Sequence, residues 1–144
     1  MTPLGIEPKS YRFTTSKNRK FLNGQGNSYF LPKDLAKFGL LLLNRGVWKS
    51  NTVISKEVIS KIYEPSRTIN WSFTDLIENQ ANIKTTYSNQ WYSTTFEIQG
   101  SRLNVIHSWG NGGQYIFVVP VLDAVVVFTG SNQGNFLKQK QPFE

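Results

Sequence analysis

Gly112-Gly113-Gln114-Tyr115-Ile116-Phe117-Val118-Val119-Pro120-Val121-Leu122-Asp123-Ala124-Val125-Val126-Val127-Phe128-Thr129-Gly130 is the stretch that decides the fold. β-Branched and aromatic residues fill 114–119 and 124–129, Pro120-Val121-Leu122-Asp123 makes a turn between them, and glycines bracket the pair. A connection this short joins antiparallel neighbours. Upstream, residues 90–98 alternate loosely and are rich in Trp, Tyr, Thr and Phe, and residues 103–108 form another candidate strand, with Gly110-Asn111-Gly112-Gly113 as punctuation. The reading is a meander of four strands from about Tyr87 onward.

The first half reads as helix and loop. Pro32 suits a first helical turn, where its missing N–H costs nothing, and Asp34 complements the positive end of the helix dipole. Arg45 falls in the last turn, and Gly46 suits a left-handed stop. Leu35, Phe38, Gly39 and Leu42 follow the i, i+3, i+4, i+7 spacing of one helical face, while Leu40, Leu41 and Leu43 spread the apolar stripe almost around the helix. Such a helix over 33–45 needs cover on more than one side, from a sheet and a second helix. A chain of 144 residues with four strands reads as too small to supply it. Gly39, costly inside a helix, predicts a close approach. A second helix is predicted over 56–64, with Ser55 as N-cap, Val58, Ile59 and Ile62 on one face, and Pro65 as its stop. Val47-Trp48 reads as the start of a linker and residues 66–86 as a surface excursion. The first thirty residues read as irregular apart from a short strand at Tyr11–Phe13. Helices first and strands later predict an α+β fold: an antiparallel sheet with helices packed on its faces.

Composition narrows the function classes. With 39% hydrophobic and 14% aromatic residues in 144, the chain is globular material for one domain or less. No cysteine is present, which excludes disulfides and thiolate metal sites, and the single histidine, His107, argues against a zinc site with His ligands. The opening Met1-Thr2-Pro3-Leu4-Gly5-Ile6 has no basic start followed by an apolar run, so no secretory signal is visible. The longest strongly apolar run, Leu40-Leu41-Leu42-Leu43, is far short of the roughly 20 residues of a membrane span. The net charge of +7 is concentrated near the start, where Lys9, Arg12, Lys17, Arg19 and Lys20 face only Glu7. Such a segment attracts phosphate or anionic surfaces. It is not accompanied by a helix-turn-helix, zinc finger or RNA-recognition motif, which argues against nucleic acid. The competing function class is a non-catalytic binding module that uses this segment on nucleic acid or an anionic cell-wall polymer.

The strand pair at 114–130 resembles the paired sheet strands near the end of serine hydrolases of the β-lactamase/penicillin-binding-protein type. That superfamily includes class C β-lactamases, DD-peptidases, esterases and 6-aminohexanoate-dimer hydrolases. Four further segments resemble it in the same order. Pro3-Leu4-Gly5-Ile6 is similar to a PLG[IM] that closes a helix, and residues 31–39 to a [ST]PxDLAxFG helix. Gly46-Val47-Trp48 is similar to a GxW, and residues 87–92 to a YGYxWW strand. The resemblance spans about residues 3–132.

It implies acyl transfer: a serine attacks an amide or ester carbonyl of a small molecule, an acyl-enzyme forms, and water releases it. It implies no cofactor. In the family a Ser-x-x-Lys supplies the nucleophile and its activating amine, and a Tyr-x-Asn or Ser-x-Asn loop supplies a proton-transfer group. A Lys/His-Thr/Ser-Gly strand forms the opposite wall and contributes a backbone N–H to the oxyanion hole. No serine in this chain is followed by lysine three positions on. Thr14-Thr15-Ser16-Lys17 has the offset with threonine, but in a basic loop. Tyr87-Ser88-Asn89 matches Tyr-x-Asn literally, yet coincides with the aromatic strand. The third element is matched by Ser108-Trp109-Gly110, with serine where lysine is common and tryptophan where Thr or Ser is common. That departure removes the charge that binds a substrate carboxylate and points toward the esterase or amide-hydrolase branches.

The expected wall is therefore Ser108, Trp109, Gly110 and Asn111, with the Asn111 N–H as candidate oxyanion donor and no catalytic residue in this chain. Strand alternation puts His107 on the face opposite Ser108, in a structural role. The whole chain, 1–144, is expected to be a partial hydrolase domain lacking its Ser-x-x-Lys region, with the missing N-terminal part as its partner. Relatives acting on cell-wall or antibiotic substrates are usually secreted or periplasmic.

Overall fold

The computed structural model describes residues 1–14, 28–64 and 84–135. In chain order, β1 (Tyr11–Phe13) pairs antiparallel with β2 (Ser28–Phe30), helix α1 (Pro32–Leu43) follows, and a minimal hairpin of β3 (Val47–Trp48) and β4 (Asn51–Thr52) leads to helix α2 (Lys56–Tyr63). The remainder is a five-stranded antiparallel meander of β5 (Lys84–Ser88), β6 (Trp91–Ile98), β7 (Ser101–Gly110), β8 (Gln114–Val119) and β9 (Ala124–Phe128), each strand beside the next. The fold is α+β, and both helices pack on the same face of the sheet.

The alternation of β7 and β8 explains that placement. Ile106, Ile116 and Val118 point to one side and close on Leu42 of α1 and on Ile59 and Ile62 of α2. Val125 and Val127 of β9 join them from the next strand. Gly39 is the point of closest approach. A Cβ there would lie 2.5 Å from Val125 Cγ1 and 3.0 Å from Ile116 Cγ2, so only glycine lets the helix sit this low on the sheet.

The leucine-rich helix finds part of its remaining cover in the N-terminal segment and the β3–β4 hairpin. Leu41 packs with Leu4 and Ile6 of the N-terminal segment and with Trp48, Val53 and Ile54 around the β3–β4 hairpin. Leu41 and Leu42 are buried, and Leu40 is left at the surface. The hairpin was legible only as a linker because its turn residues, Lys49 and Ser50, carry no turn signal. Both are left-handed (φ 46° and 67°), the conformation that Asn-Gly usually marks.

The end of α1 also differs from expectation. The helix stops at Leu43, and Arg45 rather than Gly46 is the first left-handed residue (φ 52°). The Arg45 N–H bonds the Leu42 carbonyl and the Gly46 N–H the Leu41 carbonyl, which is the Schellman pattern. The Arg45 guanidinium lies 3.4 Å from the centre of the Tyr63 ring, and the Tyr63 hydroxyl donates to the Leu42 carbonyl at 2.8 Å. The two helices are thus fastened end to end. Ser55 occupies the N-cap position of α2 but makes no capping bond. The strand expected from Tyr87 belongs to β5, which begins at Lys84, so the sheet has one strand more than expected. Most of the excursion, residues 66–83, lies outside the described residues, as do Thr15-Ser16-Lys17, Arg19 and Lys20.

Candidate functional site

The candidate wall is the tip of one hairpin. Along its last rungs Ser108 faces Ile116, Trp109 faces Tyr115 and Gly110 faces Gln114, and residues 111–113 make the turn. Ser108 is half-buried on the helix side, opposite a core isoleucine. Trp109 points the other way and packs on Val105, Tyr115, Phe117 and Val119. Asn111 is exposed at the tip. The four residues are therefore contiguous but do not converge: Ser108 and Gly110 share the helix-side face, and Trp109 backs the sheet from behind.

Glycine is required at the tip by conformation and by space. Gly112 and Gly113 have φ of 142° and 84°, which L side chains rarely adopt. The Gly113 N–H donates to the Gly110 carbonyl at 3.1 Å and closes the turn. The stretch after β9 lies against it. The Asn132 N–H donates to the Gly112 carbonyl at 2.9 Å, and the Gln114 side-chain amide donates to the Gly130 carbonyl. The sequence marks Gly130 and Asn132 only as the end of a strand, because their link to the tip is long-range and leaves no local signal. Gly112 and Gly113 are buried under the Gln114 side chain and the stretch after β9, so Asn111 is the exposed residue of the turn.

His107 lies on the opposite face from Ser108, as alternation predicts, and is fully buried. Its Nε2 is 2.9 Å from the Thr94 hydroxyl, which is 3.0 Å from the Thr85 hydroxyl. Its ring stacks on Tyr92 with centroids 5.3 Å apart. Burial lowers its pKa to about 3, so the imidazole is neutral at pH 7. Tyr87, from the literal Tyr-x-Asn match, lies in β5 with its ring 4.8 Å from that of Tyr92, and Asn89 sits in the following turn.

A second polar cluster lies at the start of α1. Asp34 is buried. Its carboxylate accepts from the Lys37 ammonium and from the Ser10 hydroxyl, each at 2.8 Å, and Lys37 also donates to the Gly5 carbonyl. Lys37 first, then Ser10, hold the Asp34 carboxyl below its usual range. The cluster ties the N-terminal segment to the helix. Among the described residues no group of three or more His, Cys, Asp or Glu could hold a metal ion, and no helix is long and apolar enough to cross a membrane.

No family model matches the chain, and no curated protein does. Among solved structures it is similar to a protein described as a 6-aminohexanoate-dimer hydrolase from Bacillus anthracis, with a TM-score of 0.63 and 23% identity. The match covers 92% of this chain and 31% of that one. The chain thus shares its α+β fold, helices on an antiparallel sheet, with under a third of the length of a hydrolase.

Proposed function

We propose that the chain is the C-terminal part of a β-lactamase-related serine hydrolase that acts by acyl transfer on a small amide or ester, and that it supplies one wall of the site. The observation that carries this reading is the glycine-built tip at 110–113, which directly follows the segment resembling the family's third motif, 108–110, on a fold shared with a hydrolase. The missing N-terminal part of the domain brings the serine and its activating amine. The Asn111 N–H faces the oxygen of the attacked carbonyl and stabilises the charge that develops there. Removing one such donor typically costs about a hundredfold to a thousandfold in rate. Ser108 and Gly110 line the wall from the helix side, and Trp109 stiffens it from behind. The neighbour's name makes linear amides the first substrates to try.

In this reading the isolated chain is inactive. Incubated with p-nitrophenyl butyrate, a chromogenic cephalosporin or the 6-aminohexanoate dimer, it gives no saturable turnover. Saturable turnover that a serine-directed acylating inhibitor abolishes would overturn the expected inactivity and put the nucleophile in this chain.

A further inference from the structure

Gln114 occupies a position that neither the motif nor the chemistry above uses. Its backbone makes the last rung of the β7–β8 hairpin, opposite Gly110. Its side chain folds back over the turn. A Cβ on Gly110 would meet Gln114 Oε1 at 2.7 Å, and a Cβ on Gly112 would meet Gln114 Nε2 at 2.5 Å. The same Nε2 donates to the carbonyl of Gly130, which itself lies so close to the turn that a Cβ there would be 2.6 Å from the Gly112 carbonyl oxygen. One carboxamide therefore touches the end of β7, the turn, and the segment that follows β9.

A turn containing Gly112 and Gly113 has little conformational preference of its own. One backbone bond, Gly113 to Gly110, closes it from inside, and the bonds from Gln114 and Asn132 fix it from outside. The chemistry of the clamp requires a donor aimed at a carbonyl. Glutamate has the same length, but its ionised carboxylate only accepts and would face the Gly130 oxygen with like charge.

We infer that Gln114 is the positioning residue of this site: it locks the 110–113 turn to Gly130 and so sets the direction of the Asn111 backbone. The inference rests on the reading of Asn111 as oxyanion donor, but its test needs no substrate. In the full chain, amide hydrogen exchange by NMR is compared for wild type, Gln114→Glu and Gln114→Met, with the Gly113 and Asn132 amides as reporters on either side of the clamp. At pH 7 both variants should exchange at these two amides at least about tenfold faster, with a shifted Asn111 resonance, while the Ile106 and Val118 amides in the sheet centre stay within about twofold. Unchanged reporters would contradict the clamp. A uniform rise at reporters and sheet centre together, with a lower melting temperature, would show an ordinary packing role and equally sink the inference. If Gln114→Glu does not fold, Gln114→Met, which keeps the length and lacks the donor, gives the same reading. Turnover by the isolated chain would overturn the reading of it as one wall without a nucleophile and leave the exchange result standing, so the two failures are distinguishable.

Discussion

The five-stranded sheet has two unlike faces made by the same strands. Toward the helices the residues are aliphatic, with Ile106, Ile116 and Val118 closing on Leu42, Ile59 and Ile62. On the other face a row of rings crosses the strands at successive ladder partners: Tyr87, Tyr92, His107 and Phe117. Tyr115 stacks on Phe117, and Phe128 meets it edge-on. Within that row Thr85 and Thr94 form a hydrogen-bonded chain to His107. The first face is held by volume and is indifferent to pH. The second includes a buried titratable group and is stable only while that group is neutral. Ser108 lies on the first face and Trp109 on the second, so the proposed wall is where the two meet.

Acid should separate the faces most strongly. His107 has a folded pKa lowered from 6.5 to about 3, so its neutral form is favoured by folding. Stability is then complete above pH 6.5 and is lost as pH falls from 6.5 toward 3. The full loss is about 5 kcal/mol, of which roughly 2–3 kcal/mol is gone by pH 4.5. Asp34 and Glu57, whose folded carboxyls are lowered from 3.8 and 4.5, add to the loss as the pH falls through those values. Urea midpoints between pH 7 and about 5.5 therefore isolate the histidine, and His107→Gln should flatten the profile in that window. A profile that stays steep in the variant assigns the effect elsewhere.

Leu42→Ala tests the first face. It should cost about 2–5 kcal/mol at every pH, because it opens a cavity beneath the sheet, and calorimetry at pH 7 and 5 should show the same decrement. Thr94→Val removes the hydroxyl that bonds both Thr85 and His107 and should cost about 1–3 kcal/mol. Denaturation that is unaltered by it would remove the polar chain from the account. Gly39→Ala should cost about 1 kcal/mol net: crowding against Val125 of about 1–3 kcal/mol, offset by the better helix propensity of alanine. A stabilised Gly39→Ala protein would mean that α1 rides higher on the sheet than described.

What the sequence revealed and concealed follows from range. Alternation at 103–128, the leucine spacing in α1 and the use of glycine at position 39 are local patterns, and each led to the right element. The structure also places His107 opposite Ser108, as a period of two requires. The hairpin at Lys49-Ser50 was hidden because ordinary residues adopt left-handed angles there under tertiary constraint. The Arg45 stop was hidden for a related reason: its side chain is drawn over the ring of Tyr63, which is distant in sequence but adjacent in space. At the candidate site the glycines were legible. The Gln114–Gly130 clamp, the burial of Asp34 by Ser10 and Lys37, and the separation of Ser108 from Trp109 onto two faces emerge only when distant segments meet.

The central claim is that this chain carries the wall of an acyl-transfer site without the nucleophile. The most direct test is intact-mass and peptide mass spectrometry of the folded chain after incubation with an excess of a fluorophosphonate, which labels activated serines. The account predicts an unmodified mass and no labelled peptide. Stoichiometric labelling of Ser108, the half-buried hydroxyl on the proposed wall, would contradict it and place the nucleophile in the chain itself.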